Sequence, residues 1–214
     1  MTRIILTRHG HVDWIAPERF RGRAELPLSE LGKRQAEAVA LRIAGSWQPD
    51  AIYTSPLSRC IHTGEAIARA TGSSALVLDG LADTDYGQWQ GLTHDEVRQR
   101  WPDEHRTWLE SPDLAAIPGG ESLADVLARG LRVLHEVLQR HAGETLVLVG
   151  HDSINRVLLL QFLGLPLARY WRLKQEPCCI NEIVAEAGVF TIQRINETYH
   201  LAGVTADAAT RSAQ

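Results

Sequence analysis

Three side chains with catalytic or ligand-binding chemistry, Arg8, His9 and His11, follow the short apolar run at 4–6. Two histidines separated by one residue could bind a metal ion such as zinc. An arginine beside a histidine could instead bind a phosphate, with the histidine as the nucleophile that attacks phosphorus. The stretch "LTRHGHVD" by itself leaves both kinds of site open.

Two later segments carry the same residue types. The motif "TSPLSRC" places Arg59 in the first turn of a predicted helix, and "VLVGHDS" places His151 two residues after Val149. Ligands of an open parallel sheet bind at the carboxyl ends of its strands, so these side chains are expected to meet Arg8 and His9 there. Two arginines and two histidines beside a helix N-terminus predict an oxyanion site, suited above all to a phosphate.

The elements that would position these residues follow from hydrophobic periodicity. Short apolar or alternating runs predict six strands, at Arg3–Thr7, Ala51–Thr54, Leu76–Leu78, Thr145–Val149, Ile180–Ala185 and Val189–Ile195. Helical spacing of apolar residues predicts five helices, over about 30–45, 57–70, 93–109, 123–141 and 153–163. Capping boxes in "SLAD" and "THDE" predict that two of these helices begin after Ser122 and Thr93.

The alternation of strands and helices predicts an α/β fold, with a mostly parallel central sheet of about six strands and helices on both faces. The last two strands flank Gly188 and predict an antiparallel hairpin at one edge. The segment at roughly 84–121, rich in Trp, Gly and Pro, is interpreted as a helical insertion over the active-site end. We expect one domain over 1–203 and a disordered tail over 204–214.

The composition limits the function classes. The chain has 214 residues, of which 44% are hydrophobic and 22% charged, which suits one compact domain. A net charge of −4 argues against a nucleic-acid-binding surface. The longest apolar stretch, at 157–167, is too short to span a bilayer, so no membrane partner is expected. Three cysteines, two of them adjacent, favour buried thiols in a reducing compartment, and we expect a cytoplasmic protein.

Six motifs occur in an order that resembles the histidine phosphatase superfamily, in its phosphoglycerate-mutase-like branch: "LTRHG", "LPLSELGKRQA", "YTSPLSRCIHT", "DYGQWQGLT", "PGGES" and "LVGHDS". The resemblance covers residues 3 to about 200. It implies an α/β sheet sandwiched by helices and a mechanism with a covalent phosphohistidine. It also implies that no metal or other cofactor is needed, because the arginines supply the positive charge.

The resemblance assigns roles to individual residues. His9 would be the nucleophile, kept neutral by the nearby Arg8 and Arg59. Arg8, Arg59 and His151 would hold the equatorial oxygens of the phosphoryl group in the transition state. The family's proton donor is a glutamate four positions before the first Gly of the "G-x-W-x-G" segment, and here that position holds Asp83, a shorter carboxylate.

A second carboxylate competes with Asp83 for the role of general acid and base. Asp152 follows His151 directly, and this His-Asp pair resembles the acid-phosphatase and phytase branch, in which the Asp donates the proton. We expect Asp152 or Ser153 instead to be the N-cap of the next helix, a position that would keep a carboxylate ionised. Asp83 is therefore the preferred acid, and the family spacing disfavours its neighbour Asp85.

The sequence departs from the family's pattern after the first histidine. Ile15 stands where an Asn is usual, and His11 where an acidic or amide residue is common. Arg21, followed by the matching Gly22, holds a position that faces the substrate in the family. Together with Arg23 it suggests a substrate with a second anionic group, such as a carboxylate or another phosphate, unless both arginines are solvated loop residues.

Three alternatives to a phosphatase start from the same residues. A metallohydrolase with His9, His11, His151 and Asp152 as metal ligands would leave Arg8 and Arg59 unexplained and repelled by the metal. A phosphate-binding regulatory module would keep the site without turnover. A cofactor-dependent phosphoglycerate mutase would share the site, but mutases carry a longer insert between the acid and the second histidine. We therefore predict a phosphomonoesterase of a small phosphorylated metabolite, with the choice between a monomer and a homodimer left open.

Overall fold

A single mixed sheet forms the centre of the molecule in the computed structural model, which describes residues 1–14 and 18–204. The strands of the sheet in this part of the chain are β1 (Thr2–Arg8), β2 (Ala51–Thr54), β3 (Ala75–Val77), β4 (Thr145–Gly150), β5 (Ile180–Glu186) and β6 (Val189–Glu197). Their spatial order is β3-β2-β4-β1-β5-β6. Strands that are distant in the sequence are therefore neighbours, which brings the ends of β1 and β4 together.

The sheet is mostly parallel, as predicted. Strands β1 to β4 are parallel, whereas β5 is antiparallel to both β1 and β6. The predicted hairpin joins β5 to β6, and its turn residues Ala187 and Gly188 both have positive φ, 50° and 81°. Two positive φ values are typical of a type I′ turn, whose twist matches that of the strands it connects.

Helices cover both faces of the sheet. The described part of the chain forms α1 (Glu30–Ser46), α2 (Ser58–Thr71), α3 (His94–Arg100), α4 (Pro102–Glu110), α5 (Leu123–Arg140) and α6 (Asp152–Phe162). Ile5 of β1 packs with apolar residues of α1 and α2, whereas Ile4 and Leu6 pack with those of α5 and α6. Because successive strand residues point to opposite faces, one apolar strand contributes to both cores. The predicted α/β fold is confirmed.

Side-chain caps determine where two helices begin. The Ser122 hydroxyl accepts the Asp125 backbone N–H at 3.2 Å, and the Asp125 carboxylate accepts the Ser122 N–H at 3.0 Å, directly before α5. Thr93 and Glu96 form the same reciprocal pair at the start of α3. Both predicted capping boxes are present, and an N-cap of this kind stabilises a protein by about 1 kcal/mol.

The helix predicted over 93–109 is wrong in one respect, because the chain forms two helices there. Trp101 lies between α3 and α4 with φ −138° and ψ 67°, outside the helical region. Pro102 is the first residue of α4. Proline disfavours helical backbone in the residue before it and has no N–H to donate, so one helix ends and the next begins at this point.

The segment interpreted as an insertion contains both α3 and α4. Its indoles Trp89 and Trp108 are 0% and 1% exposed and belong to the same core as α5 and α6. Residues 205–214, in the tail expected to be disordered, lie outside the described residues. Within 1–14 and 18–204, no helix has the length and apolarity needed to cross a membrane.

Candidate active site

The end of β1 carries Arg8, and His9 follows it at a buried position with 2% exposure. The His9 backbone N–H donates to Gly150 O at 3.0 Å, so β4 holds the start of this loop. On the ring, Nδ1 lies 2.6 Å from Gly10 O. Because a carbonyl only accepts hydrogen bonds, Nδ1 carries the proton and Nε2 keeps its lone pair. This tautomer leaves the Nε2 lone pair able to act as a nucleophile.

The second predicted histidine, His151, follows β4 and is the N-cap residue of α6. Its ring centroid lies 5.0 Å from that of His9. Nε2 lies 2.7 Å from Ser55 Oγ, and Nδ1 lies 3.7 Å from Asp83 Oδ2. A serine hydroxyl that donates to Nε2 leaves the imidazole proton on Nδ1, on the side of Asp83.

The two predicted arginines are fixed by backbone carbonyls. Arg59, in the first turn of α2, is fully buried, and its Nη atoms donate to Gly22 O at 2.6 Å and Ala24 O at 2.7 Å. Arg8 donates from Nη1 to Gln175 O at 2.6 Å. Within the described part of the chain, the buried Nε of each arginine has no hydrogen-bond partner. Buried N–H donors without a partner are rare, and here two of them belong to arginines whose charges both act on His9, an arrangement that suits an anion.

The four side chains Arg8, His9, Arg59 and His151 form what we call the anion pocket, in which both histidines are uncharged. Burial lowers the pKa of His9 well below 6.5, and the charges of Arg59 and Arg8 lower it further. The pKa of His151 is also held well below 6.5, by burial first and then by Arg59. A neutral imidazole can act as a nucleophile, whereas a protonated one cannot.

Asp83 lies against the anion pocket and is 7% exposed. Its Oδ2 is 3.4 Å from Arg59 Nη2, and its Oδ1 accepts the Thr84 backbone N–H at 2.9 Å. Burial raises the pKa of Asp83 above 3.8, although Arg59 acts in the opposite direction. A carboxyl group with a raised pKa holds its proton at higher pH and can donate it to a leaving group.

The rival carboxylate, Asp152, is the first residue of α6 and not its N-cap. The prediction that Asp152 or Ser153 caps this helix is wrong, because β4 continues to the residue before His151 and leaves His151 itself as the N-cap. Asp152 Oδ1 instead lies 3.0 Å from Arg156 Nε and 3.9 Å from Arg8 Nη1. A carboxylate that faces two guanidiniums is suited to positioning them, so Asp152 is the weaker candidate for a proton donor.

A cavity of about 260 Å³, called the side cavity below, adjoins Asp83. The residues that line it include Arg21, Tyr86, Trp108, Asp152, Arg156 and Trp171. They come from the loop after β1, from the insertion, from α6 and from a short 3₁₀ helix at Leu167–Arg172. The cavity therefore offers charges of both signs beside aromatic rings.

Of the two loop arginines, the structure places only Arg21 on the side cavity. Burial, and then the charge of Arg8, lowers the pKa of the Arg21 guanidinium from its usual value. Arg23 lies 3.6 Å from Asp85 Oδ2 and 3.3 Å from Glu121 Oε2, so its charge is already paired. An anionic group of a ligand could contact Arg21, whose position fits the hypothesis that it faces the substrate.

Gly22, the other residue matched to a substrate-facing position, contributes its backbone. Its carbonyl accepts the hydrogen bond from Arg59, and its φ is +48°. A Cβ at this position would lie 2.9 Å from Thr84 O. Only glycine fits both the left-handed backbone and this close approach.

The metal hypothesis finds no support in the surroundings of His11. Its ring Nδ1 lies 2.8 Å from Ser29 Oγ, the side chain that caps α1. Among residues 1–14 and 18–204, no group of three or more His, Cys, Asp or Glu side chains could hold a metal ion. Ile15, the departure from the family's Asn, lies outside the described residues.

A hydroxyl cluster on the side cavity was not found by the sequence analysis. Ser153 Oγ lies 3.0 Å from Tyr170 OH and 3.2 Å from Tyr86 OH. The three residues are buried and come from α6, the 3₁₀ helix and the insertion. No local pattern predicts such a cluster, because each member belongs to a different part of the chain.

Two further residues were missed although the sequence holds a signal for each. Ser55, which contacts His151, follows β2 directly, at the same edge of the sheet as the other strand-end residues. Arg156 lies four positions after Asp152 on a predicted helix, the spacing at which oppositely charged residues pair.

Comparison with known proteins agrees with this geometry. The model of the histidine phosphatase superfamily (branch 1) matches residues 4–198. The chain is 34% identical over 201 residues to phosphoserine phosphatase 1 of Hydrogenobacter thermophilus, a match that covers 94% of this chain and 95% of that protein. It is 33% identical over 172 residues to glucosyl-3-phosphoglycerate phosphatase of Mycolicibacterium vanbaalenii, covering 77% of this chain and 76% of that protein.

Other similar proteins extend the comparison. Three mycobacterial relatives are longer, and the match with this chain covers 55% of their length. Among solved structures, YhfR of Bacillus stearothermophilus has a TM-score of 0.89 at 29% identity, with 94% of this chain and 100% of that chain covered. The likeness therefore extends over nearly the whole fold.

Proposed function

The chain belongs to the histidine phosphatase superfamily and is a phosphomonoesterase of small phosphorylated metabolites, and we propose that it works through a covalent phosphohistidine on His9, without a metal. The proposal gives Arg8, Arg59 and His151 the role of binding the phosphoryl oxygens. Asp83 is the general acid and then the general base. Arg21 and Gly22 are assigned to substrate binding.

In the first step, His9 Nε2 attacks phosphorus in line with the ester bond. The new N–P bond forms while the P–O bond to the alcohol breaks. Charge on the equatorial oxygens is stabilised by the guanidiniums of Arg8 and Arg59. The leaving alkoxide takes the proton of the Asp83 carboxyl, so a neutral alcohol departs.

In the second step, water attacks the phosphohistidine. Asp83, now a carboxylate, accepts a proton from the water as the new P–O bond forms and the N–P bond breaks. Inorganic phosphate leaves, and His9 and Asp83 return to their starting states. The two steps thus need one nucleophile, one carboxyl group and fixed positive charge.

One observation carries the proposal: an uncharged His9 shares a buried pocket with two arginines that each have an unpaired Nε donor. The test is rapid quench with a phosphate-labelled aryl phosphate. We expect acid-labile label on the protein, more of it in Asp83→Asn, and none in His9→Ala. Full activity of His9→Ala, or complete loss of activity with a chelator, would contradict the proposal.

The setting is also a proposal. Free buried cysteines and a net charge of −4 support an enzyme of the cytoplasm that acts on a metabolite, with no nucleic acid or membrane as partner. The short segment between Asp83 and His151 favours hydrolysis over a mutase reaction. A homodimer stays a prediction, to be tested by sedimentation velocity.

A further inference from the structure

Arg156 is a partly buried cation on the wall of the side cavity, and the proposed mechanism has no use for it. Its side chain is 12% exposed. The guanidinium carbon lies 5.0 Å from the ring centroid of Tyr170 and 5.2 Å from that of Trp171. Two aromatic rings and α6 therefore hold the group in one orientation. Burying a guanidinium costs free energy unless charged or polar partners compensate for the lost water.

The hydrogen bonds of Arg156 use only part of its donor capacity. Nε donates to Asp152 Oδ1 at 3.0 Å, and Nη1 makes one long bond of 3.4 Å to Tyr170 O. Nη2 carries two further N–H groups and has no partner among the described residues. A guanidinium binds a carboxylate through two parallel N–H bonds, so Arg156 keeps donors suited to this ligand.

Arg156 is also close to the place where the phosphoryl group would bind. A single oxygen, Asp152 Oδ1, is 3.0 Å from Arg156 Nε and 3.9 Å from Arg8 Nη1. When the phosphate of a substrate contacts Arg8, a second group only a few bonds from that phosphate can therefore reach Arg156. The side cavity, at about 260 Å³, has room for a short tail and not for a large one.

Resting on the function proposed above, we propose that Arg156 determines specificity by binding a carboxylate that the substrate carries beside its phosphoester. Arg21 lines the same cavity from a loop, where Nη1 donates to Trp14 O at 3.4 Å. Arg156 is the better selector because a helix and two rings preorganise it. An ammonium on the substrate adds less, because Asp152 already pairs with Arg156.

Four phosphoesters test this inference, because together they cover every combination of the presence and absence of a carboxylate and an ammonium. O-phosphoserine has both groups, 3-phosphoglycerate only the carboxylate, O-phosphoethanolamine only the ammonium, and glycerol 3-phosphate neither. We expect kcat/KM of the wild type to be higher for the two carboxylates. Arg156→Gln should lower the ratio of carboxylate to non-carboxylate substrates by about 10- to 100-fold. Arg156→Lys, which keeps the charge but not the fork, should restore part of the ratio.

Arg169→Gln is the matched control, because Arg169 is exposed on the neighbouring 3₁₀ helix. It should leave the ratio unchanged. An unchanged ratio in Arg156→Gln, or an equal change in Arg169→Gln, would overturn the inference. If Arg156→Gln fails to fold, Arg156→Lys should still give a ratio below that of the wild type, and an unchanged ratio in Arg156→Lys would overturn the inference. If the wild type hydrolyses glycerol 3-phosphate as well as it hydrolyses the two carboxylates, the inference is wrong but the proposed function stands. If the wild type shows no His9-dependent hydrolysis of an aryl phosphate, the proposed function itself is wrong.

Discussion

The anion pocket and the side cavity are built from different parts of the fold. In the anion pocket, the side chains stand at the end of β1, directly after β1 and β4, or in the first turn of α2, where the sheet fixes the backbone. His9, Arg59 and His151 are between 0% and 2% exposed. The side cavity takes its walls from loops, the insertion and a 3₁₀ helix, and Trp171 on its wall is 41% exposed.

This difference separates chemistry from selection. The groups proposed to attack and stabilise phosphorus would be needed for every substrate, and they lie at or just after strand ends, which leave little freedom. The groups that contact the rest of the substrate lie on segments that can change with little effect on the sheet. Variants of the anion pocket should therefore slow all phosphoesters alike, whereas variants of the side cavity should change the ratio between them.

The largest effect is expected from His9→Ala, which removes the proposed nucleophile. We expect kcat/KM to fall by about 10⁴-fold or more on every phosphoester, because no other group forms the covalent intermediate. The measurement is steady-state turnover of an alkyl and an aryl phosphate. His135→Ala, at an exposed histidine of α5, is the control and should keep full activity. A loss of activity confined to one substrate would contradict the idea that the anion pocket serves all substrates and the side cavity selects among them.

The same division decides what could be predicted from the sequence. Arg8, His9, Arg59 and His151 each stand within a few positions of an apolar strand, and the rule for open parallel sheets brings such ends together. Asp83 followed from its resemblance to a family position, and its environment, buried beside Arg59, fits that role.

The side cavity was largely beyond prediction, because its contacts join helices and loops that are distant in sequence. The hydroxyl cluster around Ser153 depends on how the insertion packs against α6. Local signals were available at two other points. Pro102 marks the break between α3 and α4, and the spacing of Asp152 and Arg156 marks an ion pair. The pattern of apolar residues alone shows neither feature.

Asp83 lies between the two regions, and its replacement should separate leaving-group chemistry from binding. Asp83→Asn should slow an alkyl phosphate by about 10²- to 10³-fold, since the alkoxide then departs without a proton. An aryl phosphate should be slowed far less, because a phenolate leaves unaided. Asp152→Asn is the matched variant and should slow both substrates by a similar, smaller factor. The reverse pattern would make Asp152 the acid.

The anion pocket should also make the fold sensitive to acid. The folded-state pKa values of His9 and His151 lie well below 6.5. Below pH 6.5 the unfolded chain therefore binds protons that the folded chain does not. The free energy of unfolding should be at its plateau above pH 6.5. As the pH is lowered from there, it should decrease by up to about 1.4 kcal/mol per pH unit for each histidine.

Urea unfolding at pH 7.5 and pH 5.5 measures this loss. His9→Gln and His151→Gln should each make the difference between the two pH values smaller. His135→Gln should not, because this histidine is exposed. Equal pH dependence in all four proteins would show that the acid sensitivity arises outside the anion pocket.

The smallest effect is expected at Ser55, whose hydroxyl lies 2.7 Å from His151 Nε2. Ser55→Ala removes the hydroxyl that can donate to that nitrogen, so the tautomer with the proton on Nδ1 loses its stronger hydrogen bond. We expect kcat to fall by about tenfold on alkyl and aryl phosphates alike, with KM little changed. Cys60→Ala is the control, since Cys60 Sγ lies 3.4 Å from the same nitrogen and a thiol is a weak donor. An equal loss in both variants would mean that packing around His151, and not the hydroxyl, positions the ring. A loss on only one of the two phosphates would mean that the anion pocket also contributes to substrate selectivity.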